Sequence, residues 1–484
     1  MTAHDASPAI VWFRRDLRLT DNPALHTAVQ SGRPVIPVFI LDTHSPVRGP
    51  GAASSWWLDK SLKALAKDLA AAGARLVLRK GDAVALLPRL VRETGAGLVC
   101  WNRSYEPQLE QRDEELADGL GQHGIELRTS NATLLQEPTD VRTKTGGPYK
   151  VFTPFWNTAS PLVGDIHLHR APSKLKPPGA WPASDALEDW KLHPSGPDWS
   201  TGFEDWTPGE AGAKARLDAL LSKALEGYPE DRDRPAIEGG SRLSPHLAWG
   251  EIGPRQVHTA VERAGAVHPN LKPQADKFLA EIGWREFNYN LLDQQPELAE
   301  CNFRSNMDGL KWRRSPSALR AWTQGMTGYP IVDAGMRQLW TTGWMHNRVR
   351  MIVASFLVKH LLIDWRQGEG WFWDCLVDAD PANNTANWQW SAGVGADAQP
   401  FFRIFNPMAQ GEKFDPGGDY VRRWIPALAK LDRRYIHAPW TAPADDLRKA
   451  GIKLGETYPR PIVEHEAARK RALEALRNAR GGHA

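Results

Sequence analysis

Apolar runs and amphipathic runs alternate through the first 135 residues. Residues 54–73 and 82–95 show helical spacing of apolar positions and end on glycine. Five apolar runs bounded by glycine or polar residues are expected to be buried parallel strands, at 9–13, 34–42, 74–81, 96–102 and 125–129. The alternation predicts a doubly wound, Rossmann-like α/β domain over residues 1–135. No GxGxxG follows a strand, so the common dinucleotide fingerprint is missing.

The pattern changes after residue 135. Residues 136–208 are rich in proline, glycine, serine and tryptophan with little periodicity, which predicts a long connector over the surface. From 209 to 484 the spacing is helical, and we expect an all-helical second domain. Its helices are predicted at 209–226, 254–265, 273–294, 331–342, 345–362 and 462–479. A chain of 484 residues also exceeds what one hydrophobic core usually supports, which favours two domains.

The charge is unremarkable in sum but uneven in position. Net charge is +3, with 42% hydrophobic and 24% charged residues, as in ordinary globular proteins. Pairs of arginines cluster in the second half, at 313–314, 348–350, 422–423 and 433–434. They are consistent with an anionic partner, although a solvated charged face is the simpler explanation for any one cluster.

Cysteine usage and hydropathy indicate the compartment. Cys100, Cys301 and Cys375 are far apart and form no CxxC pair, which argues against a disulfide framework, a zinc site or a four-cysteine iron–sulfur cluster. The N-terminus lacks a signal-peptide pattern. The most apolar run, 351–363, is too short to span a bilayer and contains Lys359. We expect a cytoplasmic protein with no metal and no membrane association, and a monomer by default.

The first stretch suited to ligand binding is EGGSRLSP, residues 238–245. Ser244 is expected to be the N-cap of a helix with Pro245 in its first turn. Serine hydroxyls and free backbone N–H groups at such a point bind phosphate well. A plain helix start explains the same residues equally well.

The second stretch is FLAEIGWREF, residues 278–287. On a helix, Phe278, Glu281, Trp284 and Arg285 form one stripe that mixes a carboxylate, a guanidinium and two aromatic rings. An ordinary core stripe would be aliphatic. The mixture predicts that this face lines a pocket.

The third stretch is the predicted helix at 345–362. Its core face is apolar, whereas Asn347, Arg350 and Met351 share a neighbouring face at i, i+3 and i+4 and are expected to contact a ligand. Arg348 points elsewhere, toward solvent or a phosphate.

The fourth stretch is DPANNTANWQW, residues 380–390, whose asparagines predict a short polar turn. Asp378 and Asp380 lie between strongly apolar segments, and buried polar groups need partners, which a heterocyclic ligand would supply. The chain has 22 tryptophans, so packing is the first explanation for any one of them. For Trp388 and Trp390, packing and chemistry both remain open from pattern alone.

Five motifs in the same order, over essentially the whole chain, resemble the photolyase/cryptochrome family. They are WFRRDLRLTDNPAL, EGGSRLSPHLAWGEI, EIGWREF, TGYPIVDAGMRQLWTTGWMHNRVRM, and NWQW with FRIFNPMAQGEKFDP. Within the family the chain looks most similar to class I cyclobutane pyrimidine dimer photolyases. The resemblance implies FAD bound in a folded, U-shaped conformation in the helical domain, which would explain the missing GxGxxG near the N-terminus.

The resemblance implies a set of cofactor contacts. Arg350 and Asp378 would pair over the flavin ring, Asp380 would bond its pyrimidine edge, and Asn384 would lie at N5. The other expected FAD-binding residues are Tyr228, Ser241, Arg242, Leu243, Ser244, Phe278, Glu281, Arg285 and Asn347. Gly240 stands where the family usually has threonine, so one hydroxyl contact would be lost.

The resemblance also implies electron-transfer and DNA-binding residues. Trp388, Trp365 and Trp312 match the family's triad from flavin to surface. Trp284 and Trp390 would stack on the damaged bases. The residues expected to contact DNA are Arg232, Trp284, Arg348, Trp390, Arg403 and Lys413.

The implied activity is light-driven repair of UV-damaged DNA by a deoxyribodipyrimidine photo-lyase. Excited reduced FAD would donate an electron to a flipped-out cyclobutane dimer and recover it without net redox change. The expected catalytic residues are Glu281, Asn347, Met351 and Asn384. Enzymes for (6-4) photoproducts carry histidines at the positions of Asn347 and Met351, and Glu281 suits hydrogen bonding to a dimer base.

The alternative function is a cryptochrome-like blue-light photoreceptor. Such proteins often lose lesion-pocket residues or gain a long C-terminal extension, and this sequence shows neither. A second, antenna chromophore is also expected. Folate-binding members have an Asn-Glu pair just after "YE", where this chain has Gln108 and Leu109, so deazaflavin or flavin is favoured over folate.

Overall fold

The computed structural model describes residues 7–398 and 400–481. A five-stranded parallel sheet forms the N-terminal domain, in the order β3-β2-β1-β4-β5. Its strands are β1 Ala9–Phe13, β2 Val35–Asp42, β3 Val77–Gly81, β4 Leu98–Asn102 and β5 Glu126–Ser130. The predicted α/β domain is thus confirmed, with five parallel strands close to the predicted positions. Apolar side chains from alternate strand positions form two hydrophobic clusters, one on each face of the sheet.

One strand differs from its prediction. β5 pairs only with β4, at the edge of the sheet, and its Glu126 and Arg128 are exposed. The expectation of a buried strand at 125–129 is wrong because an edge strand has a neighbour on one side only, and its polar side chains remain in water.

Helices pack on both faces of the sheet and are the main elements of the second domain. Their bounds are α1 Pro23–Gln30, α2 Ala52–Ala71, α3 Ala83–Thr94, α4 Pro107–Gly121, α5 Phe152–Leu162, α6 Glu210–Ala219, α7 Tyr228–Asp231, α8 Ser244–Ala248, α9 Pro254–Val267, α10 Lys272–Gln294, α11 Pro316–Thr323, α12 Pro330–Thr342, α13 Asn347–Ser355, α14 Trp365–Cys375, α15 Pro381–Ala392, α16 Pro407–Phe414, α17 Asp419–Trp424, α18 Ala444–Lys449 and α19 His465–Gly481. The helical second domain is confirmed. Among the described residues, no helix has both the length and the apolar character needed to cross a membrane.

Two of the predicted helices are interrupted. After α6 the chain continues through a π-helical turn at Leu220–Ala224. After α13 it continues through another at Phe356–His360, which buries Lys359 and His360 in the helical core. Single π turns re-aim the side chains that follow them, and periodicity alone does not reveal them.

The connector is more ordered than its composition predicts. Helix α5 lies inside it, with Phe155 and Ala159 buried at i and i+4, and its internal Pro161 hides the helical pattern. Further along, Trp190, Phe203 and Trp206 are buried in the hydrophobic cluster of the sheet domain. The connector therefore packs against the domain that it leaves.

Two glycines allow the backbones of the two domains to come into direct contact. Gly51, which precedes α2, lies against the backbone of Trp373, and a Cβ at Gly51 would come within 2.2 Å of the carbonyl oxygen of Trp373. Gly250, with a φ of +64°, lies equally close to the carbonyl oxygen of Arg15. Only glycine fits at these two points, and this fixes α14 and the segment after α8 against the sheet domain.

Candidate functional site

A cavity of about 640 Å³ lies in the helical domain. Helices α7, α8, α10, α13, α14 and α15 form its wall. Many of the residues predicted from sequence line it together: Tyr228, Arg232, Ser241, Leu243, Ser244, Phe278, Glu281, Trp284, Arg285, Asn347, Arg348, Arg350, Met351, Asp378, Asp380, Asn384, Trp388 and Trp390. Residues separated by more than 160 positions therefore converge on one site, and its volume lies in the range typical of ligand pockets.

The serine loop contributes hydroxyls but differs in detail from its prediction. Helix α8 already includes Ser244, whose Oγ accepts a hydrogen bond from Trp344 Nε1 at 3.3 Å, so the expected N-cap role of Ser244 is wrong. Ser241 Oγ accepts from the backbone N–H of Leu243 at 3.3 Å. Leu243 is the N-cap of this helix, and among the described residues no side chain accepts from its first backbone N–H groups.

Arg242 is not part of the cavity wall. Its φ is +52°, in the left-handed region, and its guanidinium lies 5.3 Å from the ring centre of Trp344 and 3.2 Å from a carboxylate oxygen of Glu238. Burial lowers its pKa. Its role as a cofactor contact stays a prediction.

The predicted stripe on α10 is present. Phe278 packs edge-on against Tyr228 with ring centres 5.1 Å apart, and burial raises the pKa of that tyrosine. Arg285 donates to the carbonyl oxygen of Thr133 at 2.7 Å, which fixes it from outside the helical domain. Trp284 stacks on Phe152, with ring centres 3.9 Å apart and ring planes 9° from parallel. The connector helix α5 therefore covers part of the Trp284 ring.

Two arginines expected to meet DNA are paired with carboxylates. Arg232 donates to Glu281, the residue expected to bond a dimer base. Arg348 donates to both carboxylate oxygens of Asp233 at 2.7 and 2.8 Å. The expectation that Arg348 points to solvent or phosphate is wrong for the protein without DNA. A bidentate carboxylate is a strong partner for guanidinium where no phosphate is present.

The predicted ion pair between Arg350 and Asp378 is confirmed. The two terminal nitrogens of Arg350 donate to the two carboxylate oxygens of Asp378 at 3.2 and 2.8 Å. Arg350 Nε donates to the carbonyl oxygen of Met345 at 2.7 Å. The Asp378 side chain is almost fully buried, whereas a quarter of the arginine is exposed. Three directed hydrogen bonds therefore hold a fixed positive charge at the cavity wall.

The asparagine-rich stretch is a helix, and the expected polar turn is wrong. Asp380 Oδ1 accepts from the N–H groups of Ala382 and Asn383 at 3.1 and 2.8 Å, and Pro381 occupies the first turn of α15. An aspartate N-cap followed by proline is a strong helix start, and it outweighs the weak helix propensity of asparagine. Asp380 Oδ2 accepts from the buried Tyr289 hydroxyl at 2.7 Å. Both oxygens that were expected to meet a ligand thus already have protein partners.

Helix α15 contributes both amides and indoles to the cavity wall. Asn383, Asn384 and Asn387 all line the cavity, although only Asn384 was predicted to do so. Trp388 is buried, with its ring edge-on to Phe372 at 4.9 Å, and Trp390 is half-buried at the cavity. The i, i+4 spacing of Asn383 and Asn387 would have indicated the shared face, had the stretch been predicted as a helix.

Of the three tryptophans of the predicted triad, Trp388 and Trp365 are buried and Trp312 is partly exposed. The Trp388 ring packs against Gly368, one turn along α14 from the fully buried Trp365. Trp312 is half-buried. The backbone N–H of the next residue, Arg313, donates to the carbonyl oxygen of Leu362 at 2.7 Å, which places this segment near the start of α14. The electron-transfer role of these residues remains a prediction.

Two expected DNA contacts lie outside the cavity. Within residues 7–398 and 400–481, the cavity wall includes neither Arg403 nor Lys413, and both side chains are exposed. Phe402, beside Arg403, is a large apolar side chain that is 56% exposed. The sequence analysis did not single out this exposed ring.

The chemistry of the wall fits a planar heterocycle with a phosphate-bearing chain. A fixed guanidinium, five asparagine amides and three serine hydroxyls supply donors and acceptors, and tryptophan and phenylalanine rings supply apolar surface.

Comparisons with known proteins agree with this chemistry. A family model described as DNA photolyase matches residues 9–175, and another, the FAD binding domain of DNA photolyase, matches residues 278–478. The deoxyribodipyrimidine photo-lyase of Agrobacterium fabrum is 55% identical over 474 residues, 97% of each chain. Cryptochrome-1 of Arabidopsis thaliana is 38% identical over 97% of this chain and 70% of that protein. The crystal structure of a bacterial class III photolyase from Agrobacterium tumefaciens is 54% identical, with a TM-score of 0.95 over 98% of both chains. The chain belongs to the photolyase/cryptochrome family.

Proposed function

We propose that this protein is a light-driven DNA repair enzyme that splits cyclobutane pyrimidine dimers. One observation carries the proposal. The residues suited to FAD and those suited to a flipped-out dimer line the same cavity of about 640 Å³. A similar protein of Agrobacterium fabrum bears the name deoxyribodipyrimidine photo-lyase, and its similarity extends over nearly the whole chain.

The cavity residues divide into a cofactor side and a lesion side. FAD would be held by the Arg350–Asp378 pair, by the amide of Asn384 and by the hydroxyls near Tyr228 and Ser241. When bound and reduced, FAD supplies the light-driven electron. Buried rings on this side, such as Phe278 and Trp388, exclude water from the cofactor.

The lesion side offers stacking and hydrogen bonding without a histidine acid or base. Trp284 and Trp390 present aromatic surface to unpaired bases. Asn347 and Met351 carry an amide and a thioether, neither of which transfers a proton near neutral pH. Glu281 lies beside them with its carboxylate held by Arg232. A cyclobutane dimer suits this set, because its opening needs an electron and no proton shuttle.

DNA would reach the cavity through base flipping. Enzymes that act on a base take it out of the stack, at a cost that is smallest for a damaged pair. Arg232 and Arg348 at the cavity, and the exposed Arg403 and Lys413 beyond it, would contact phosphates on either side of the lesion.

We assign the protein to class III of the photolyases in place of the expected class I. The support is the class III photolyase from Agrobacterium tumefaciens, which shares 54% of its residues with this chain over 98% of both.

The second candidate function is a blue-light photoreceptor, favoured by the 38% identity to Cryptochrome-1 of Arabidopsis thaliana. A repair assay separates the two. The purified, FAD-loaded and reduced protein is illuminated with blue light beside oligonucleotides carrying either a cyclobutane dimer or a (6-4) photoproduct. We expect repair of the dimer alone. Repair of neither lesion by FAD-loaded protein would overturn the enzyme and favour the photoreceptor.

The antenna chromophore is proposed to be a deazaflavin or a second flavin. Leu109 is buried in α4, and the Gln108 amide donates to the carbonyl oxygen of Pro296 at 3.4 Å. These two positions therefore lack the acid–amide pair that folate-binding relatives have. The absorption spectrum of the purified protein tests the proposal, and a folate band would overturn it.

A further inference from the structure

The amide of Asn384 is held from outside the cavity by one glutamate. Asn384 Nδ2 donates to Glu369 Oε1 at 2.8 Å and to the carbonyl oxygen of Glu369 at 3.1 Å. Both acceptors lack a hydrogen to give. The atom that faces them must therefore be the NH₂ group, and both of its hydrogens are used there.

This leaves Asn384 one way to meet a ligand. Its side chain lines the cavity, and with the NH₂ group occupied, only the carbonyl oxygen Oδ1 remains for a bound molecule. That oxygen accepts hydrogen bonds and cannot donate one. The wall at this point therefore favours a ligand that presents an N–H over one that presents a bare nitrogen.

Glu369 is itself clamped by the N-terminal domain. Arg48, in the loop after β2, donates through its two terminal nitrogens to the two carboxylate oxygens of Glu369 at 2.5 and 3.0 Å. The guanidinium lies 4.1 Å from the ring centre of Trp373, whose Nε1 donates to the carbonyl oxygen of Gly49 at 2.9 Å. The arginine is thus fixed both by its bidentate contact and by the indole below it.

The three side chains form a line from the surface to the cavity. Arg48 is nearly half-exposed, Glu369 is buried, and Asn384 is buried at the cavity wall. Without the arginine, the glutamate would hold an unpaired negative charge in the protein interior, which is costly. The carboxylate would then move or bind water, and the amide would lose its fixed orientation.

We propose that Glu369 and Arg48 are positioning residues that keep Asn384 a hydrogen-bond acceptor toward the flavin. The inference rests on the proposed function, in which Asn384 lies at flavin N5. Reduced flavin carries a hydrogen on N5 and oxidised flavin does not. The clamp therefore favours reduced over oxidised FAD, and it makes a residue of the N-terminal domain a determinant of the cofactor's redox balance.

The test measures the ratio of reduced to oxidised FAD at a fixed ambient potential in the FAD-loaded protein. In Glu369→Gln, the new amide can donate to Asn384 Oδ1, so the Asn384 amide turns. We expect the ratio to fall by roughly three- to tenfold, the equilibrium effect of about one hydrogen bond. In Arg48→Ala, which leaves the cavity wall unaltered, we expect a smaller fall in the same direction. Arg48→Lys should restore part of it.

Asp374→Ala is the matched control. Asp374 Oδ1 accepts from the backbone N–H of Ala52 at 2.9 Å, so this variant breaks a contact between the same two segments without touching Glu369. We expect its thermal unfolding to shift as much as that of Arg48→Ala, with no change in the FAD ratio. An equal change in the ratio would overturn the proposal, because general loosening of the domain interface would then explain both.

The outcomes separate this proposal from the proposed function. If Glu369→Gln does not fold, the two Arg48 variants decide. An unchanged ratio in Arg48→Ala, in a protein that binds FAD and repairs dimers, overturns the clamp and leaves the enzyme standing. A wild-type protein that binds no FAD overturns both.

Discussion

Both domains bury polar side chains. In the sheet domain the hydrogen-bond partners of these side chains all lie within the protein, whereas at the cavity some hydrogen-bonding capacity is left for a ligand. In the sheet domain, Asn102 Nδ2 donates to Asp16 Oδ2 at 2.5 Å and to Asn22 Oδ1 at 2.9 Å. Arg18 donates to four carbonyl oxygens, those of Thr20, Asp21, Ala132 and Gly250. We call this set the closed network, because each of these donors has its acceptors within the protein.

The cavity set is satisfied on the protein side only. Arg350 is fixed by Asp378 and Asn384 by Glu369, yet both side chains also face an open volume. A polar residue in an apolar stretch therefore indicates a binding function only if one of its hydrogen-bond donors or acceptors faces an open volume. Sequence alone shows the buried polar residue and not that direction.

The largest expected effect is on the closed network. Arg18→Met leaves four buried carbonyl oxygens without their donor and should lower the free energy of unfolding by about 3–5 kcal/mol. Denaturation in urea measures the loss. FAD bound per folded molecule should stay at the wild-type level. A loss of FAD from folded Arg18→Met protein would contradict the separation of the two sets.

The next effect is expected at the cavity. Asp378→Asn removes the charge that balances Arg350 and should weaken FAD binding by about 2–3 kcal/mol, measured by titrating FAD into the apoprotein. Its unfolding free energy without FAD should change less than that of Arg18→Met, because Arg350 is partly exposed to water. The reverse order of stabilities would show that this pair is mainly structural.

Lys359 belongs to neither set, and its removal should stabilise the protein. It is buried with one hydrogen bond, to the carbonyl oxygen of Arg403 at 3.0 Å, and burial lowers its pKa to about 7. An ordinary lysine titrates near 10.4, so folding becomes less favourable as the pH falls from there to about 7, where the unfolded chain binds the proton more readily.

Lys359→Met should therefore raise the unfolding free energy at pH 7 by about 1–2 kcal/mol. The gain should shrink toward pH 10, where the lysine is neutral in the folded protein and increasingly so in the unfolded chain. Urea denaturation at both pH values measures it. A gain that is equal at the two pH values would mean that apolar packing, and not the proton, is responsible.

The smallest effect on stability is expected at Glu281. Its side chain is 29% exposed, and Glu281→Ala should change the unfolding free energy by no more than about 0.5 kcal/mol while leaving FAD bound. Dimer repair per absorbed photon should fall. An unchanged repair yield would refute a role for this carboxylate on the lesion side of the cavity.

Much of the fold could be predicted because continuous apolar runs leave few choices. β1, AIVWF, is buried at every position, and this is the pattern of a central parallel strand. The prediction that β5 is buried was wrong because its edge position depends on the order of strands, which is a tertiary property. Helix α15 was not predicted because its asparagines suggested a turn. Its Asp380–Pro381 start is nevertheless a recognisable helix signal in the sequence.

The residues of the cavity could largely be predicted, but of their contacts only the Arg350–Asp378 pair was. Helical spacing grouped Asn347 with Arg350 and Met351, and the resemblance to a family linked them to Asp378. The pairing of Arg348 with Asp233 depends on how two distant side chains orient. The contact between Arg48 and Glu369 joins residues 321 positions apart, in different domains, and neither belongs to a motif.

The two arginine–carboxylate pairs at the cavity have a consequence for counterions. Arg232 and Arg348 are neutralised by Glu281 and Asp233 before any DNA arrives. A phosphate that takes either arginine frees a carboxylate, which recruits a cation from solution and offsets the cation that the duplex gives up. Exposed Arg403 and Lys413 would then account for most of the net release. The logarithm of the DNA affinity should fall with the logarithm of salt concentration with a slope of about −1.8, in place of the −3.6 or so that four unpaired cations would give.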